Sequence, residues 1–262
     1  MGKRMRRARR KTKRFIRLLV VAVVAIVAMV IGSGLVDGDG YEVGGFDLSR
    51  DLFGATSVPD APEGSALDIA QELTVKGRAP RTGYEREAFG PPWKDVDENG
   101  CDTRNDILNR DLTNLTHESD TCVVLTGTLL DPFSGEVIDF QRGQGTSQEV
   151  QIDHMVPLSD AWQKGAQQWD DQKRLEFAND PMNLLAVDGP LNAEKGDGDV
   201  ATWLPPNKSF RCQYVAQIVG VKDVYDVWVT QAEQDAMVKV LSDCPKEPIF
   251  TGEEAPEVKP AP

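Results

Sequence analysis

The sequence contains two histidines, and one of them has neighbours that suggest chemistry. His154 lies in the segment Ile152-Asp-His-Met-Val-Pro157, where two polar residues interrupt an apolar strand pattern. A histidine can take a proton from water near neutral pH, and the carboxylate of Asp153 beside it can hold a divalent metal ion. The alternative is a partly buried Asp–His pair without a chemical role. We expect His117, in the polar stretch from Thr116 to Asp120, to be a solvated surface residue.

Three more polar residues follow in an order that carries information. Asn183 begins the short apolar segment Asn183-Leu-Leu-Ala-Val187, which is predicted to be a strand. Asn192 and Lys195 lie in a predicted helix that starts near Pro190. Asn192 alone is an ordinary capping or first-turn residue. The sequence therefore presents a strand with Asp-His, a second short strand with Asn, and a helix with Asn and Lys.

This order resembles that of the HNH endonuclease superfamily, whose core is a ββα-metal unit. The resemblance is closer to a branch with an Asp-His-x-x-Pro pattern, which includes secreted bacterial proteins and the C-terminal nuclease domain of the GmrSD restriction system. It extends over about residues 75–244. The segments that carry it, besides the one around His154, are Asn99-Gly-Cys-Asp-Thr-Arg-Asn105, Ala161-Trp-Gln-Lys-Gly-Ala166, Phe177-Ala-Asn-Asp-Pro-Met-Asn-Leu-Leu185 and Trp203-Leu-Pro-Pro206.

The resemblance implies a role for each polar residue. His154 would be the general base that deprotonates a water, and Asn183 would orient its ring. Asp153 and Asn192 would be metal ligands, and Lys195 would bind a phosphate. Asn192 stands where many members carry a second histidine, and oxygen ligands favour Mg²⁺ or Mn²⁺ over Zn²⁺. Adjacent side chains on a strand point to opposite faces, so Asp153 and His154 can share a site only where the strand bends or ends.

The elements that would position these residues predict an α+β fold, with a ββα-metal core embedded in a mostly helical, disulfide-bonded domain. Apolar periodicity, caps and turn residues define the elements. Strands are predicted over 122–130, 136–140, 150–156 and 183–187, and helices over 65–73, 103–112, 159–177, 190–203, 208–219 and 230–243.

The four cysteines are an even number without a C-x-x-C pair, which in an exported protein indicates two disulfides rather than a zinc site. Three pairings are possible. We favour Cys101 with Cys122 and Cys212 with Cys244, because each then closes a local loop. Each bond would stabilise the fold by about 3 kcal/mol through loop-closure entropy.

The N-terminal region predicts export. Ten basic residues precede residue 18, and the uncharged run Leu18–Ile31 follows them. A basic segment before an apolar core indicates either a cleaved signal peptide or an uncleaved anchor that attaches the chain to the membrane. Positive-inside orientation places the rest outside the cytoplasm, either extracellular or at the cell surface. We predict this segment over residues 1–36, a linker over 37–63, a nuclease-like domain over 64–244 and a disordered acidic, proline-rich tail over 245–262.

The charge balance limits how the protein can meet a nucleic acid. The chain has 29 basic and 42 acidic residues, a net charge of −13. Without the ten basic residues near the start, the remainder carries −23. This excludes a broad surface that coats nucleic acid and makes long-range steering repulsive. We expect weak, non-specific, salt-sensitive binding to DNA rather than RNA, and predict no protein partner.

These features support a metal-dependent HNH-type endonuclease that hydrolyses phosphodiester bonds. One alternative is a non-catalytic binding module of the cell envelope on the same scaffold. Another is a hydrolase of a different substrate, such as a wall polymer. Digestion of nucleic acid and of wall fragments would separate the three functions.

Overall fold

The structure is a computed structural model, and it describes residues 61–260. The predicted export segment over 1–36 and most of the linker over 37–63 lie outside these residues. Within 61–260, no helix combines the length and the apolar character needed to cross a membrane.

Residues 61–260 form an α+β fold, as predicted, with seven α-helices and five short strands. The strands are β1 (Thr113–His117), β2 (Val124–Leu130), β3 (Val137–Gln141), β4 (Val150–His154) and β5 (Leu184–Asp188). The helices are α1 (Ala66–Glu72), α2 (Thr103–Asp111), α3 (Leu158–Gln163), α4 (Asp171–Asn179), α5 (Gly189–Lys195), α6 (Arg211–Tyr225) and α7 (Gln231–Leu241).

The strands form two separate antiparallel sheets. One has the order β1-β2-β3, and the other pairs β4 with β5. The turn between β2 and β3 is held by Asp131, whose carboxylate accepts from the backbone and hydroxyl of Ser134, each at 2.6 Å. The other carboxylate oxygen of Asp131 accepts from the backbone N–H of Asp188 at 2.8 Å. This buried acid therefore joins the tip of one sheet to the end of the other.

The β4–β5 pair lies between two apolar cores, so nearly every side chain on it is buried. Because side chains alternate along a strand, one face serves each core. The smaller core receives Val150, Ile152, Leu184 and Ala186, together with residues of α2 and of the three-stranded sheet. The larger core receives Leu185 and Val187, and its other members include Leu67, Ile69, Tyr214, Ile218 and Met237.

The single helix predicted over 159–177 is wrong, because the structure has two helices there. Gly165 has a φ of +132°, a value that disfavours any residue with a Cβ, and the chain turns at that point. Asp170 then caps α4 by accepting from the backbone N–H of Lys173 at 2.8 Å. Trp162 and Trp169, on either side of Gly165, keep the spacing of a single helix face. The sequence pattern therefore did not reveal the turn.

Other boundaries differ for similar local reasons. The helix predicted to reach residue 203 ends at Lys195, since Gly196 follows it with a φ of +51°. Strand β1 was not predicted, because its side chains are mostly exposed and polar. Its last residue, His117, is exposed at the surface, as expected.

Both disulfides have the favoured pairing, Cys101 with Cys122 and Cys212 with Cys244. The first joins the segment before α2 to the chain entering β2. The second joins the start of α6 to the chain that follows α7.

Residues 245–260, predicted to belong to a disordered tail, contain no helix or strand but contact the domain. Ile249 packs against Gly220, at a position where a Cβ on that glycine would collide with it. The side chain of Gln213 donates to the carbonyl of Glu257 at 2.6 Å. The glycine at 220 therefore makes room for this segment on α6.

A cluster of charges, most of them buried, joins the helices around the larger core. The Lys164 ammonium lies 2.6 Å from both Asp160 and Glu233 and 2.9 Å from Asp199. Lys222 contacts Asp160 at 3.2 Å and Glu233 at 2.9 Å. The partly buried Arg78 completes the set through Asp160 and Asp199, at 2.9 and 2.7 Å. Three acids therefore face three bases, and the cluster is neutral.

Removing the central cation should destabilise the domain strongly. Lys164→Met would leave a cluster of three acids and two bases, and an uncompensated buried charge costs about 3–5 kcal/mol. Chemical denaturation would measure this loss in the free energy of unfolding. Lys239→Met, at an exposed lysine of α7, is the control and should change little. Equal stability of the two variants would contradict this role of the cluster.

The same cluster should make the domain sensitive to acid. Burial alone would raise the pKa of Asp199, but Lys164 and Arg78 outweigh it and hold that pKa at about 2. The unfolded carboxylate binds a proton near pH 4, so the stabilisation is complete above that pH and is lost as the pH falls toward 2.

Denaturation at intervals from pH 5 to pH 2 tests this dependence. Asp199→Asn should flatten the decline in unfolding free energy. Asp197→Asn, at the exposed carboxylate two residues earlier, should retain it. A wild-type protein with constant stability over this range would show that the cluster does not hold Asp199 ionised.

Candidate functional site

Strands β4 and β5 and helix α5 pack together as a ββα unit that carries most of the predicted site residues. The strands pair from Val150 opposite Asp188 to His154 opposite Leu184. His154 is thus the last residue of its strand. Asp153 and His154 are adjacent and lie on opposite faces of β4, as strand geometry requires. The structure therefore separates the two side chains that the sequence placed together.

The imidazole of His154 is nearly buried and has one defined partner. Its Nε2 lies 2.9 Å from the carbonyl oxygen of Ala178, at the end of α4. A carbonyl can only accept, so Nε2 carries the hydrogen and Nδ1 keeps a free lone pair. Burial lowers the pKa of His154 to about 3, and the nearby charges of Arg86 and Lys195 act in the same direction. The ring is therefore neutral at neutral pH, and Nδ1 is its unprotonated nitrogen.

His154 forms part of the wall of a small, mostly apolar pocket. The pocket has a volume of about 140 Å³. The indole of Trp93 lies nearly parallel to the imidazole, at 16° and with ring centroids 6.4 Å apart. The other residues that line it are Arg86, Glu87, Phe89, Gly90, Pro91, Pro92, Leu158, Ala178 and Asn179.

Asn183 is completely buried and holds the chain that follows His154. Its side-chain oxygen accepts from the N–H of Val156, and its backbone carbonyl accepts from the N–H of Met155, both at 2.8 Å. Its hydrogen bonds are with backbone groups and none is with the imidazole. The predicted task of orienting the ring falls to the carbonyl of Ala178, so Asn183 positions His154 through the backbone.

On the opposite face of β4, Asp153 forms an ion pair with Lys195. The ammonium lies 2.8 and 3.1 Å from the two carboxylate oxygens and also donates to the carbonyl of His154 at 3.0 Å. Both side chains are buried. Burial raises the pKa of Asp153, and Lys195 opposes that rise. Lys195, the predicted phosphate ligand, is thus a structural partner of Asp153 and is not part of the pocket wall beside His154.

Asn192 faces the same side of β4, one turn earlier on α5. Its side-chain amide donates to the side-chain oxygen of Gln151 at 2.9 Å. Gln151 and Asp153 are two residues apart on the strand, and Asn192 and Lys195 are three apart on the helix. Each of these helix side chains therefore pairs with one side chain of the strand, and together the two pairs fix α5 against β4.

The predicted ligands do not fit a divalent metal ion in this arrangement. The Asp153 carboxylate is already neutralised by Lys195, and that ammonium would repel a second cation. Asn192 is engaged with Gln151. Across residues 61–260, no group of three or more His, Cys, Asp or Glu side chains is placed to hold a metal. In this fold the counter-charge of Asp153 is the ammonium of Lys195.

Sequence reasoning missed two residues that shape the surroundings of His154. Ala178 acts through its backbone carbonyl, which no side-chain motif reveals. Trp93 follows Gly90-Pro-Pro, and the only sequence signal for its role is this rigid Pro-Pro dipeptide before an aromatic residue. It lies 61 positions before His154 in the sequence, so only the folded chain brings the two rings together.

Comparison with known proteins gives two matches. The family model described as the C-terminal domain of GmrSD restriction endonucleases matches residues 102–240. A protein of Arthroderma benhamiae, described as an uncharacterized secreted protein, is 37% identical over 189 residues, which cover 71% of this chain and 88% of that relative. No solved structure matches.

The Asp153–Lys195 pair allows a direct test of competition between ammonium and metal. Lys195→Met would leave a buried carboxylate without a counter-charge and should lower the unfolding free energy by about 3–5 kcal/mol. Mg²⁺ or Mn²⁺ should then raise the melting temperature of the variant more than that of the wild type, because a divalent ion can neutralise Asp153. Lys239→Met is the control. Equal stabilisation of wild type and variant by metal would contradict the competition.

Proposed function

Because the chain belongs to the family of GmrSD restriction endonuclease C-terminal domains, we propose that it is an exported endonuclease that hydrolyses phosphodiester bonds of DNA, with His154 as general base. The family points to endonuclease activity in general. The HNH-type mechanism, the choice of DNA over RNA and export are the proposed refinements.

The state of His154 is the observation that carries this proposal. The Ala178 carbonyl fixes the hydrogen on Nε2 and leaves the Nδ1 lone pair unused. Burial keeps the ring neutral at neutral pH, so no proton occupies Nδ1, and the same burial makes the ring a weaker base than a solvated histidine. The pocket beside it is partly open to solvent, and exposed residues such as Arg86 line its edge. A fixed tautomer next to an accessible pocket is the geometry that a general base requires.

The proposed reaction is the hydrolysis of a phosphodiester bond by one water molecule. Nδ1 of His154 takes a proton from water while the water oxygen forms a bond to phosphorus. The bond from phosphorus to the 3′ oxygen breaks, that oxygen takes a proton from solvent, and Nδ1 of His154 releases its proton to solvent. Arg86, exposed at the rim of the pocket, provides a positive charge for the phosphate. Asn183 keeps the end of β4 in place during the reaction.

Dependence on a divalent metal stays a prediction from the resemblance, with Mg²⁺ or Mn²⁺ expected. It does not follow from the side chains, since the donor set around Asp153 does not fit an ion. Export is supported by the two disulfides and by the description of the relative as secreted. Attachment to a membrane through the N-terminal segment also stays a prediction.

A non-catalytic binding module is the second candidate, and one observation favours it. His154 is only 8% exposed, and the predicted metal ligand beside it is committed to Lys195. A domain with this arrangement can keep the ββα scaffold without cleaving a bond. The two functions differ in whether the folded protein breaks phosphodiesters at all.

Digestion of supercoiled plasmid by the disulfide-bonded protein tests the proposal, with Mg²⁺, Mn²⁺ or EDTA in separate reactions. His154→Ala should lower the cleavage rate by about 10²–10⁴-fold, since it removes the base. His117→Ala, at the exposed histidine, should cleave like the wild type. The metal dependence of the wild type decides the cofactor prediction.

Thermal unfolding of each variant shows whether it is folded, and His154→Gln provides a second substitution with similar size. Undiminished cleavage by folded His154→Ala and His154→Gln would contradict the assignment of the base. Absence of cleavage by well-folded wild type under every condition would favour the binding module.

A further inference from the structure

One residue in the wall of the pocket beside His154 has a polar atom without a partner. Asn179 is 1% exposed and lines the pocket. Its amide nitrogen donates to the carbonyl of Leu175 at 3.0 Å, which identifies the remaining atom as the side-chain oxygen. That oxygen has no hydrogen-bond partner. A buried acceptor without a donor costs stability, so an unpartnered oxygen on a residue of the pocket wall points to a ligand that brings an N–H group.

The pocket also offers a flat aromatic surface. Trp93 is half-buried, so one part of its indole remains accessible. It has a φ of +57°, a strained conformation for a bulky residue, and such strain is typical of ligand clamps. Pro91 and Pro92 before it restrict the backbone. The indole is therefore held rigidly at the pocket and nearly parallel to the His154 ring.

The rim of the pocket carries charge of both signs. Arg86 and Glu87 are both exposed there. Arg86 can pair with a phosphate, and Glu87 can accept a hydrogen bond from an N–H group. The interior is otherwise apolar. The site thus suits a ligand with a flat, partly apolar ring, an N–H group at its edge and a phosphate attached outside.

We propose that this pocket binds one unstacked nucleobase of the substrate, with Trp93 as the stacking platform and the Asn179 oxygen as acceptor for an N–H at the base edge. The pocket is small, with a volume of about 140 Å³, so the proposed occupant is a single base. This inference rests on the proposed endonuclease function and names its substrate class. A base within a duplex must leave the stack before it can enter, so the protein prefers single-stranded DNA.

Binding of mononucleotides tests the pocket without relying on cleavage. Calorimetric titration of the full-length wild-type protein with dAMP or dCMP should show binding, while 2-deoxyribose 5-phosphate, which lacks a base, should bind much more weakly. Trp93→Leu should weaken nucleotide binding by about 5- to 150-fold, the usual effect of losing a stacking partner. Trp93→Phe should restore part of it. Trp228→Leu, at a tryptophan outside the pocket, is the control.

Asn179→Leu separates a binding role from a structural one. The substitution removes an unpartnered buried oxygen, so the melting temperature should stay within a few degrees of the wild type or rise. Binding of dAMP and dCMP should nevertheless fall by about tenfold, since one hydrogen bond is worth about 1.4 kcal/mol or less. A large loss of stability with unchanged nucleotide affinity would overturn the role of Asn179 as a ligand group.

Cleavage of one oligonucleotide, single-stranded or annealed to its complement, tests the substrate preference with the wild-type protein. The single strand should be cut at least tenfold faster, and Trp93→Leu should reduce this ratio toward one. Equal cutting of both forms, or nucleotide binding that is unaffected in Trp93→Leu, would overturn the base pocket while leaving the endonuclease intact. Nucleotide binding by a wild type that never cleaves would support the pocket and contradict the endonuclease.

Discussion

The buried charge cluster is the constraint on which the rest of the larger core depends. Lys164 is fully enclosed, and its ammonium is tolerated only because Asp160, Asp199 and Glu233 surround it. These acids come from α3, from the chain after α5 and from α7. Helices that would otherwise be free to slide on an apolar surface therefore have one relative placement in which every charge is paired. That placement sets the position of α3, which directly follows β4 and His154.

The β4–β5 pair packs against this core and carries His154, so the core also determines where the candidate site lies. Each face of the pair packs against a different core. If β4 shifted by one residue, its apolar and polar side chains would change faces. The same alternation sends Asp153 toward Lys195 and His154 toward the pocket. The two halves of the Asp-His dipeptide thus do different work. Asp153 fixes α5 on the strand, and His154 forms part of the pocket wall.

Much of this arrangement was predictable, and the failures have physical reasons. Strand periodicity located β4 and β5, and the local spacing of Cys101 with Cys122 and of Cys212 with Cys244 predicted the pairing that is found. The motif identified His154 but predicted that Asn183 orients its ring. The actual partner is the backbone carbonyl of Ala178, and a sequence motif does not reveal backbone groups. The break at Gly165 was hidden by apolar residues that keep the same register on both sides.

The spacing of β4 and β5 has a consequence for how the protein folds. Residues 155–183 separate the two strands, so their pairing closes a long loop, and the entropy lost in that closure must be offset by the helices within it. Those helices in turn depend on Glu233 of α7, near the end of the domain. We therefore expect the ββα unit to form late, after nearly the whole chain has been synthesised. A chain that is still being synthesised would already contain His154, but the pocket around it would not yet have formed.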